Sequence, residues 1–449
     1  MIIKNKKALA FYFFRKDNMK VAIYTLGCKV NTYESEYALK EFEKRGYEIS
    51  DFSDDSCDIY LINTCTVTNT SDQKSRKMIR QAKGKNPNAV VAAMGCFTQI
   101  RNNDNAIMDY VDIVIGNKDK SKIVDLIEDY IKNKKKILKI EDINDSLFDD
   151  MEITYFNTRT RALVKIEDGC ENFCTYCIIP YVRGKVRSKD PKRVIEEVNK
   201  LVSNGYKEIV LTGIHTGHYG SDLNNYDFSD LLIELEKIDG LERIRISSIE
   251  ITELNDKFLS VLKNSKKIVN HIHIPLQAGS NHILKLMNRK YDLDYYYNKI
   301  EKIRKIRPEI AITTDVIVGF PDESDEYFKQ TIEFVKKVSF AGGHVFPFSK
   351  REGTLASKMK NQIEKKEKHE RCKTLIKVFD DLEEKYYKSF INKEVYIIPE
   401  SFEDNILIGH SDNYLKVYAT GCENLIGKIV KVKIEKYENK VLYGKIENF

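Results

Sequence analysis

From residue 20 to about residue 135, short apolar runs alternate with stretches in which apolar residues recur every three or four positions. The runs at 21–26, 59–62, 90–94 and 113–115 are continuous and of strand length, the pattern of strands covered on both faces. The stretches at 33–45, 71–83 and 121–131 read as helices between them. This alternation predicts an open, mostly parallel α/β sheet with helices on both faces over residues 19–135.

A lysine run and an acidic segment, 141–152, then interrupt the rhythm, and residues 136–158 read as a linker. A second alternating series follows, with strands expected at 162–166, 208–211, 243–247, 271–274, 311–318 and 343–346. Six strands with helical connections predict a partial (β/α)6 barrel within residues 159–388, closed by a charged helix at 362–388. The runs at 395–399, 405–408, 414–418, 429–434 and 441–446 are short, β-rich and separated by turn residues. They predict a small five-stranded β-barrel over residues 389–449.

Composition sets the boundaries of this picture. At 449 residues with 42% hydrophobic content the chain can bury two or three cores. The longest apolar run, 310–320, is far shorter than the roughly 18 residues that a membrane span needs, so a cytoplasmic protein with no membrane partner is expected. Residues 1–18 are basic with an apolar patch at 8–14, but no small-residue cleavage site follows and Met19 directly precedes the first strand. They read as an extension without order rather than a targeting signal. A net charge of +6 is a weak basic bias, compatible with a nucleic-acid partner. Nine cysteines without a secretion signal favour metal or redox chemistry over a disulfide framework.

Cys170, Cys174 and Cys177 form a CxxxCxxC pattern directly after the first barrel strand. Three thiolates on one tight loop suit a [4Fe-4S] cubane, since soft sulfur matches iron and the short spacing lets one loop wrap three corners. The fourth iron keeps an open position for a small molecule. A structural zinc site would require a fourth Cys or His at finger spacing, and the sequence has none there. Cys28, Cys65 and Cys96 lie far apart in the chain, yet each follows an expected strand of the first sheet. The carboxyl ends of neighbouring parallel strands lie side by side, so these thiols should converge where open sheets bind ligands. Gly27 and Gly95 precede two of them and allow close backbone approach. Cys57, Cys372 and Cys422 lack such a setting and read as structural thiols.

The first pattern, with Tyr176 in its aromatic place, resembles the radical S-adenosylmethionine superfamily. That resemblance implies that the open iron chelates S-adenosylmethionine and that electron transfer cleaves it to a 5′-deoxyadenosyl radical. It also assigns to the cofactor rim Tyr176 and the strand-end residues Gly213, His215, Ser248, Gln277 and Thr314. A second three-cysteine [4Fe-4S] cluster beside a radical generator resembles the methylthiotransferases. The segment Thr25-Leu26-Gly27-Cys28-Lys29-Val30-Asn31, with Asn63-Thr64-Cys65 and Met94-Gly95-Cys96, is similar to the threonylcarbamoyladenosine tRNA branch of that family. The resemblance implies insertion of a methylthio group at C2 of N6-threonylcarbamoyladenosine 37 of tRNA, with a sulfur donor and a reductant as further partners. No catalytic residue beyond the cluster ligands is required by such radical chemistry.

The C-terminal barrel resembles the TRAM domain, an RNA-binding module, which points to Tyr414, Lys416, Lys431 and Lys433 as RNA contacts. Residues 390–449 hold eight lysines and nine acidic residues, but 424–445 hold six lysines against Glu435 and Glu438. A basic face following phosphates is therefore expected on that edge. Two related readings remain, methylthiolation of isopentenyladenosine in tRNA or of an aspartate in a ribosomal protein. A reading of a different class is a non-catalytic iron-sulfur RNA-binding protein, in which the barrel series would be superfluous.

Overall fold

The computed structural model describes residues 19–101, 104–144, 146–157 and 159–446, and the extension 1–18 lies outside them. The described residues fall into two compact units. The first comprises 19–153 with 168–172 and 177–187, and the second comprises 154–167, 173–176 and the chain from 188 onward.

The first unit is built on strands β1 (Lys20–Thr25), β2 (Glu48–Ser50), β3 (Ile59–Thr64), β4 (Val90–Gly95), β5 (Ile113–Ile115) and β6 (Ile137–Lys139). They pair in the order β2-β1-β3-β4-β5-β6, all parallel. The edge strands β2 and β6 were not expected, and β6 falls inside the segment read as a linker. The rest of that segment has little regular structure, yet Ile143, Met151 and Ile153 are buried and the Tyr33 hydroxyl donates to the Met151 carbonyl at 2.7 Å.

Alternate residues of each central strand serve opposite faces. Val21, Leu61, Ala92 and Met94 pack with Phe42 of α1 (Lys29–Lys44) and Ile127 of α3 (Ile123–Asn133). Ala22, Tyr60, Ile62, Val91 and Ala93 pack with Ile79 and Ala82 of α2 (Asn69–Lys85). With both faces covered the strands read as continuous apolar runs, which is why the sequence shows them so clearly. The chain leaves β1 toward β2 on one side and continues from β3 to β6 on the other. Strand order therefore reverses between β1 and β3, and the crevice at their carboxyl ends is where such sheets hold ligands.

The second unit carries strands β7 (Arg161–Lys165), β8 (Glu208–Thr212), β9 (Arg243–Ile246), β10 (His271–His273), β11 (Ala311–Val318) and β12 (Gly342–Pro347). They form two parallel three-stranded sheets, β7-β8-β9 and β10-β11-β12. A parallel bridge between Ile244 and Ile268, and the bond from Ile249 N–H to the His273 carbonyl at 3.0 Å, join β9 to β10. The result is the open six-stranded α/β barrel that the sequence predicts.

After the helix Lys365–Lys388 come β13 (Glu394–Glu403), β14 (Ile406–Ser411), β15 (Lys416–Thr420), β16 (Val430–Glu438) and β17 (Val441–Ile446). They close into a barrel in the order β13-β14-β15-β17-β16, with only the β15–β17 pair parallel among the described pairings. Closure leaves no free strand edge. Ile397, Val417, Val432 and Leu442 fill it, with Tyr387 and Phe390 from the end of the long helix. At the amino-terminal ends of the large barrel's strands, Arg245 donates to Glu208 at 2.6 Å and to the carbonyls of Ser411 and Asp412 at 3.3 and 3.2 Å. Arg243 donates to the Tyr396 carbonyl at 2.7 Å. The small barrel is thus seated on the face away from the strand ends that carry the expected cofactor rim.

Candidate metal centres

In the first unit β3 and β4 each run directly into a cysteine, and β1 reaches one after Leu26 and Gly27. Cys28 is the N-cap of α1, Cys65 follows Thr64, and Cys96 opens the short helix Cys96–Ile100. Gly27 and Gly95 precede two of them with φ of +102° and +110°. A Cβ on Gly27 would sit 3.0 Å from the Cys65 Sγ, and one on Gly95 would sit 2.7 Å from the Thr64 carbonyl oxygen. Both the backbone conformation and the space therefore demand glycine. Cys65 and Cys96 are buried while Cys28 is open to solvent, and all three are free thiols.

These thiols act on one another. Burial pushes Cys65 up to about 11, with repulsion from Cys96 and Cys28 adding to it. Thiols that stay protonated at neutral pH become thiolates when a metal displaces the proton. Three thiols converging at one crevice fit an iron-sulfur core that keeps one iron open.

Polar groups around the thiols hold them in place. Asn31 donates to the carbonyls of Leu26 and Thr64 at 2.7 and 3.0 Å, tying the ends of β1 and β3 together. The Ser75 hydroxyl donates to the Cys65 carbonyl at 3.0 Å, and Asn117 donates to the Cys96 Sγ at 3.6 Å and the Val182 carbonyl at 2.6 Å. Arg183, fully buried, directs Nε at the Cys96 Sγ at 3.3 Å. The expected site residues did not include Asn31, although it closes the segment that carries the resemblance, nor Asn117 and Arg183, whose sequence neighbourhoods carry no spacing signal.

The CxxxCxxC loop follows β7, and its three cysteines are half-buried. Around Cys170 and Cys177, the Cys170 N–H donates to the Gly184 carbonyl at 3.0 Å and the Ile179 N–H points at the Cys177 Sγ at 3.4 Å. Around Cys174, the Thr175 N–H and hydroxyl bond to the Met287 and Leu286 carbonyls at 3.1 and 2.8 Å, and Ala356 N–H bonds the Thr175 carbonyl at 2.8 Å. Phe173 takes a left-handed φ of 46°, its carbonyl accepting from Asn288 at 3.1 Å. Arg289 donates to the Cys174 Sγ at 3.2 Å and pairs with Glu250. Backbone on both sides fixes the loop so that its sulfurs can serve as corners of one cluster.

Residues 164–335 match the Radical SAM superfamily, and residues 20–116 match a family described as Uncharacterized protein family UPF0004. The threonylcarbamoyladenosine tRNA methylthiotransferase MtaB of Bacillus subtilis is 47% identical over 423 residues, covering 93% of this chain and 94% of the relative. The chain belongs to the radical SAM methylthiotransferase family. A tRNA-2-methylthio-N(6)-dimethylallyladenosine synthase of Clostridium botulinum is 36% identical over 432 residues, covering 94% of this chain and 96% of the relative. Among solved structures, the radical S-adenosylmethionine methyltransferase TsrM of Kitasatospora setae superposes with a TM-score of 0.54 at 11% identity, covering 73% of this chain and 72% of that one. At that identity the likeness concerns the fold alone.

Within this methylthiotransferase the expected rim residues lie at strand ends of the large barrel. Gly213 follows β8, and the His215 N–H bonds Glu167 at 2.7 Å. The His215 ring contacts Glu253 and stacks on His218 at 3.9 Å. Burial lowers His215 to about 4 and raises Glu253 to about 7, so the imidazole is neutral at working pH. Glu253 was not expected, because a 3-10 turn brings it to His215 from a remote point in the sequence. Ser248 lies half-buried just beyond β9, and Gln277 adopts a left-handed φ of 67° with its N–H on the Asp315 carbonyl at 2.9 Å. The Thr314 hydroxyl donates to the Ile274 carbonyl at 2.8 Å and accepts from Leu276 N–H at 2.9 Å. Tyr176 packs edge-on to Phe320 at 6.5 Å.

On the small barrel Tyr414 has a left-handed φ of 66° and stacks on His410 at 4.8 Å. The guanidinium groups of Arg161 and Arg245 lie 5.2 and 5.0 Å from its ring centre. The Lys416 ammonium lies over Tyr418 at 5.1 Å, and Lys431 pairs with Glu394 at 2.5 Å. Lys433 stands opposite Lys445 across β16 and β17.

Proposed function

We propose that this chain converts N6-threonylcarbamoyladenosine at position 37 of tRNA to its 2-methylthio derivative. The observation that carries this reading is the set of three strand-end thiols at the switch point of the first sheet, added to a radical SAM loop and barrel. Cys170, Cys174 and Cys177 hold one [4Fe-4S] cluster, and Cys28, Cys65 and Cys96 hold the other. When bound, the loop cluster supplies an electron to S-adenosylmethionine and the sheet cluster offers an iron for the sulfur to be inserted.

The chain's own side chains set the conditions. Arg289 donates to the Cys174 sulfur and so fixes its position. His215, Gly213, Ser248, Gln277, Thr314 and Tyr176 line the cofactor rim, where a neutral His215 donates or accepts a hydrogen bond without adding charge. C2 of adenine carries no acidic proton, so no side chain is assigned as general base. Tyr414, Lys416, Lys431 and Lys433 present the small barrel's tRNA-binding face, and Tyr414 acts there with two arginines beside its ring. A one-electron reductant, a sulfur donor and a second S-adenosylmethionine as the source of the methyl group complete the reaction. Among the described residues no helix is long and apolar enough to cross a membrane, and the cytoplasm is the compartment proposed.

The test is nucleoside mass spectrometry after incubation of anaerobically reconstituted enzyme with tRNA bearing either modification. Threonylcarbamoyladenosine should be converted and isopentenyladenosine left essentially untouched. A site that pairs the threonyl carboxylate loses that pairing with a hydrocarbon tail, so discrimination should be steep. Equal turnover of both, or activity on the isopentenyl form alone, overturns the substrate assignment while leaving the radical chemistry in place.

A further inference from the structure

Arg183 ends the short helix Ile179–Arg183 that follows the CxxxCxxC loop, and its side chain is fully buried. Besides the bond from Nε to the Cys96 Sγ at 3.3 Å, Nη1 donates to both Asp168 oxygens at 2.9 Å and to Glu34 at 3.1 Å. Nη2 donates to the Asn31 Oδ1 at 2.6 Å. Asn31 is the residue that ties β1 to β3, and Asp168 stands two positions before Cys170. One planar fork therefore joins a ligand of the sheet centre to the segment that opens the loop centre.

The local charges are informative. Glu34 also receives Lys120 at 2.5 Å, and Arg187 lies 4.0 Å from Asp168. Arg183, Lys120 and Arg187 thus face Glu34 and Asp168 within one buried network. The groups acting most strongly on Arg183 include, after Asp168, the Cys96 thiol, Glu34 and the Cys28 thiol. Three thiolates around an oxidised four-iron core would carry one net negative charge, which the Arg183 guanidinium beside Cys96 would face.

We propose that Arg183 is a positioning residue for the Cys28, Cys65 and Cys96 centre, fixing the Cys96 sulfur and raising the reduction potential of the cluster bound there. This rests on the reading that those three cysteines hold a cluster. Donors to a ligand sulfur favour the reduced, more negative state, and loss of such partners costs roughly 10- to 100-fold in affinity or activity.

The experiment uses the full chain carrying C170A, C174A and C177A, so that the sheet centre alone takes up iron, with Arg183, R183K or R183M. After anaerobic reconstitution, iron is counted and the midpoint potential is read by titration followed with electron paramagnetic resonance. R183M should shift the potential to more negative values and R183K should shift it less. In chains with all six cysteines, R183M should lose roughly tenfold or more of methylthio product while still forming 5′-deoxyadenosine. Unchanged potentials in both variants, with iron retained, overturn the role of Arg183. A parent that takes up no iron overturns the cluster reading and this proposal with it. Should R183M fail to fold in melting curves, R183K decides: a shifted potential supports the role and an unshifted one ends it.

Discussion

Two three-cysteine sites in one chain are assembled in opposite ways. Cys170, Cys174 and Cys177 fall within eight consecutive residues, whereas Cys28, Cys65 and Cys96 span 69 and meet only because β1, β3 and β4 are neighbours. The loop site needs its own backbone to be pinned, and Thr175 and Phe173 are pinned from the flanking segments. The sheet site needs an entire topology. Both nevertheless place one guanidinium on one sulfur, Arg289 on Cys174 and Arg183 on Cys96. Metal binding at the proposed sheet site would therefore depend on the pairing of β1, β3 and β4, and at the proposed loop site on the segments that pin the loop.

The largest expected effect separates the two sites by chemistry. Replacing Cys170, Cys174 and Cys177 by Ala should abolish 5′-deoxyadenosine formation and reduce iron from about eight to about four per chain. Replacing Cys28, Cys65 and Cys96 should remove a similar share of iron and all methylthio product, while S-adenosylmethionine cleavage stays measurable. Product surviving the second replacement would erase the distinction between the sites.

A smaller effect tests the demand that the sheet site makes on topology. Gly95→Ala forces a Cβ against the Thr64 carbonyl at a φ of +110°. Backbone strain alone costs roughly 1–3 kcal/mol, and the contact with β3 adds to it. Gly205→Ala, at a φ of +94° with open space around it, provides the strain without the contact. Gly95→Ala should therefore melt at a lower temperature than Gly205→Ala and take up less iron. Equal melting temperatures would mean that the close approach of β4 to β3 is not critical.

The smallest effect concerns the barrel rim. Glu253 is raised by burial from 4.5 to about 7, so the folded chain binds its proton more tightly. Its contribution to stability is full below about 4.5 and is lost as the pH rises to about 7. His215 is lowered from 6.5 to about 4, so its contribution is full above 6.5 and is lost as the pH falls toward 4. Glu253→Gln removes only the first dependence. The melting temperature of the variant should gain on that of the parent between pH 4.5 and 7 and then run level with it, which thermal melts across that range will show. A constant gap would place the cost of ionising Glu253 elsewhere.

Much of this architecture could be read in advance, and the exceptions share a cause. Strands such as β3 and β4 are buried on both faces and announce themselves as apolar runs. The edge strands β2 and β6 have three residues each, partly exposed, with β6 beside a lysine run, so periodicity passes over them. The loop cysteines declare themselves by spacing, and the sheet cysteines by each following a strand. Arg183 and Glu253 could not be found that way. Their partners Cys96 and His215 lie 87 and 38 residues off, and the contacts exist only after the chain has folded. Charged residues at unremarkable positions usually mean solvated surface, a rule that fails for these two because partners remote in sequence hold them in the interior.

The first unit reclaims residues 168–172 and 177–187 after the chain has already entered β7. Its ion network draws on Asp168 and Arg183 from those reclaimed stretches and on Glu34 and Lys120 from the sheet. A polypeptide severed at residue 158 would keep every strand of the sheet and all three of its cysteines. It would nevertheless take the Arg183 guanidinium away from Glu34 and leave the Lys120 ammonium there. The boundary where a gene could be spliced without harm is therefore not the one that the strands mark. For that reason a transplant of the N-terminal sheet should carry the stretches 168–172 and 177–187 with it.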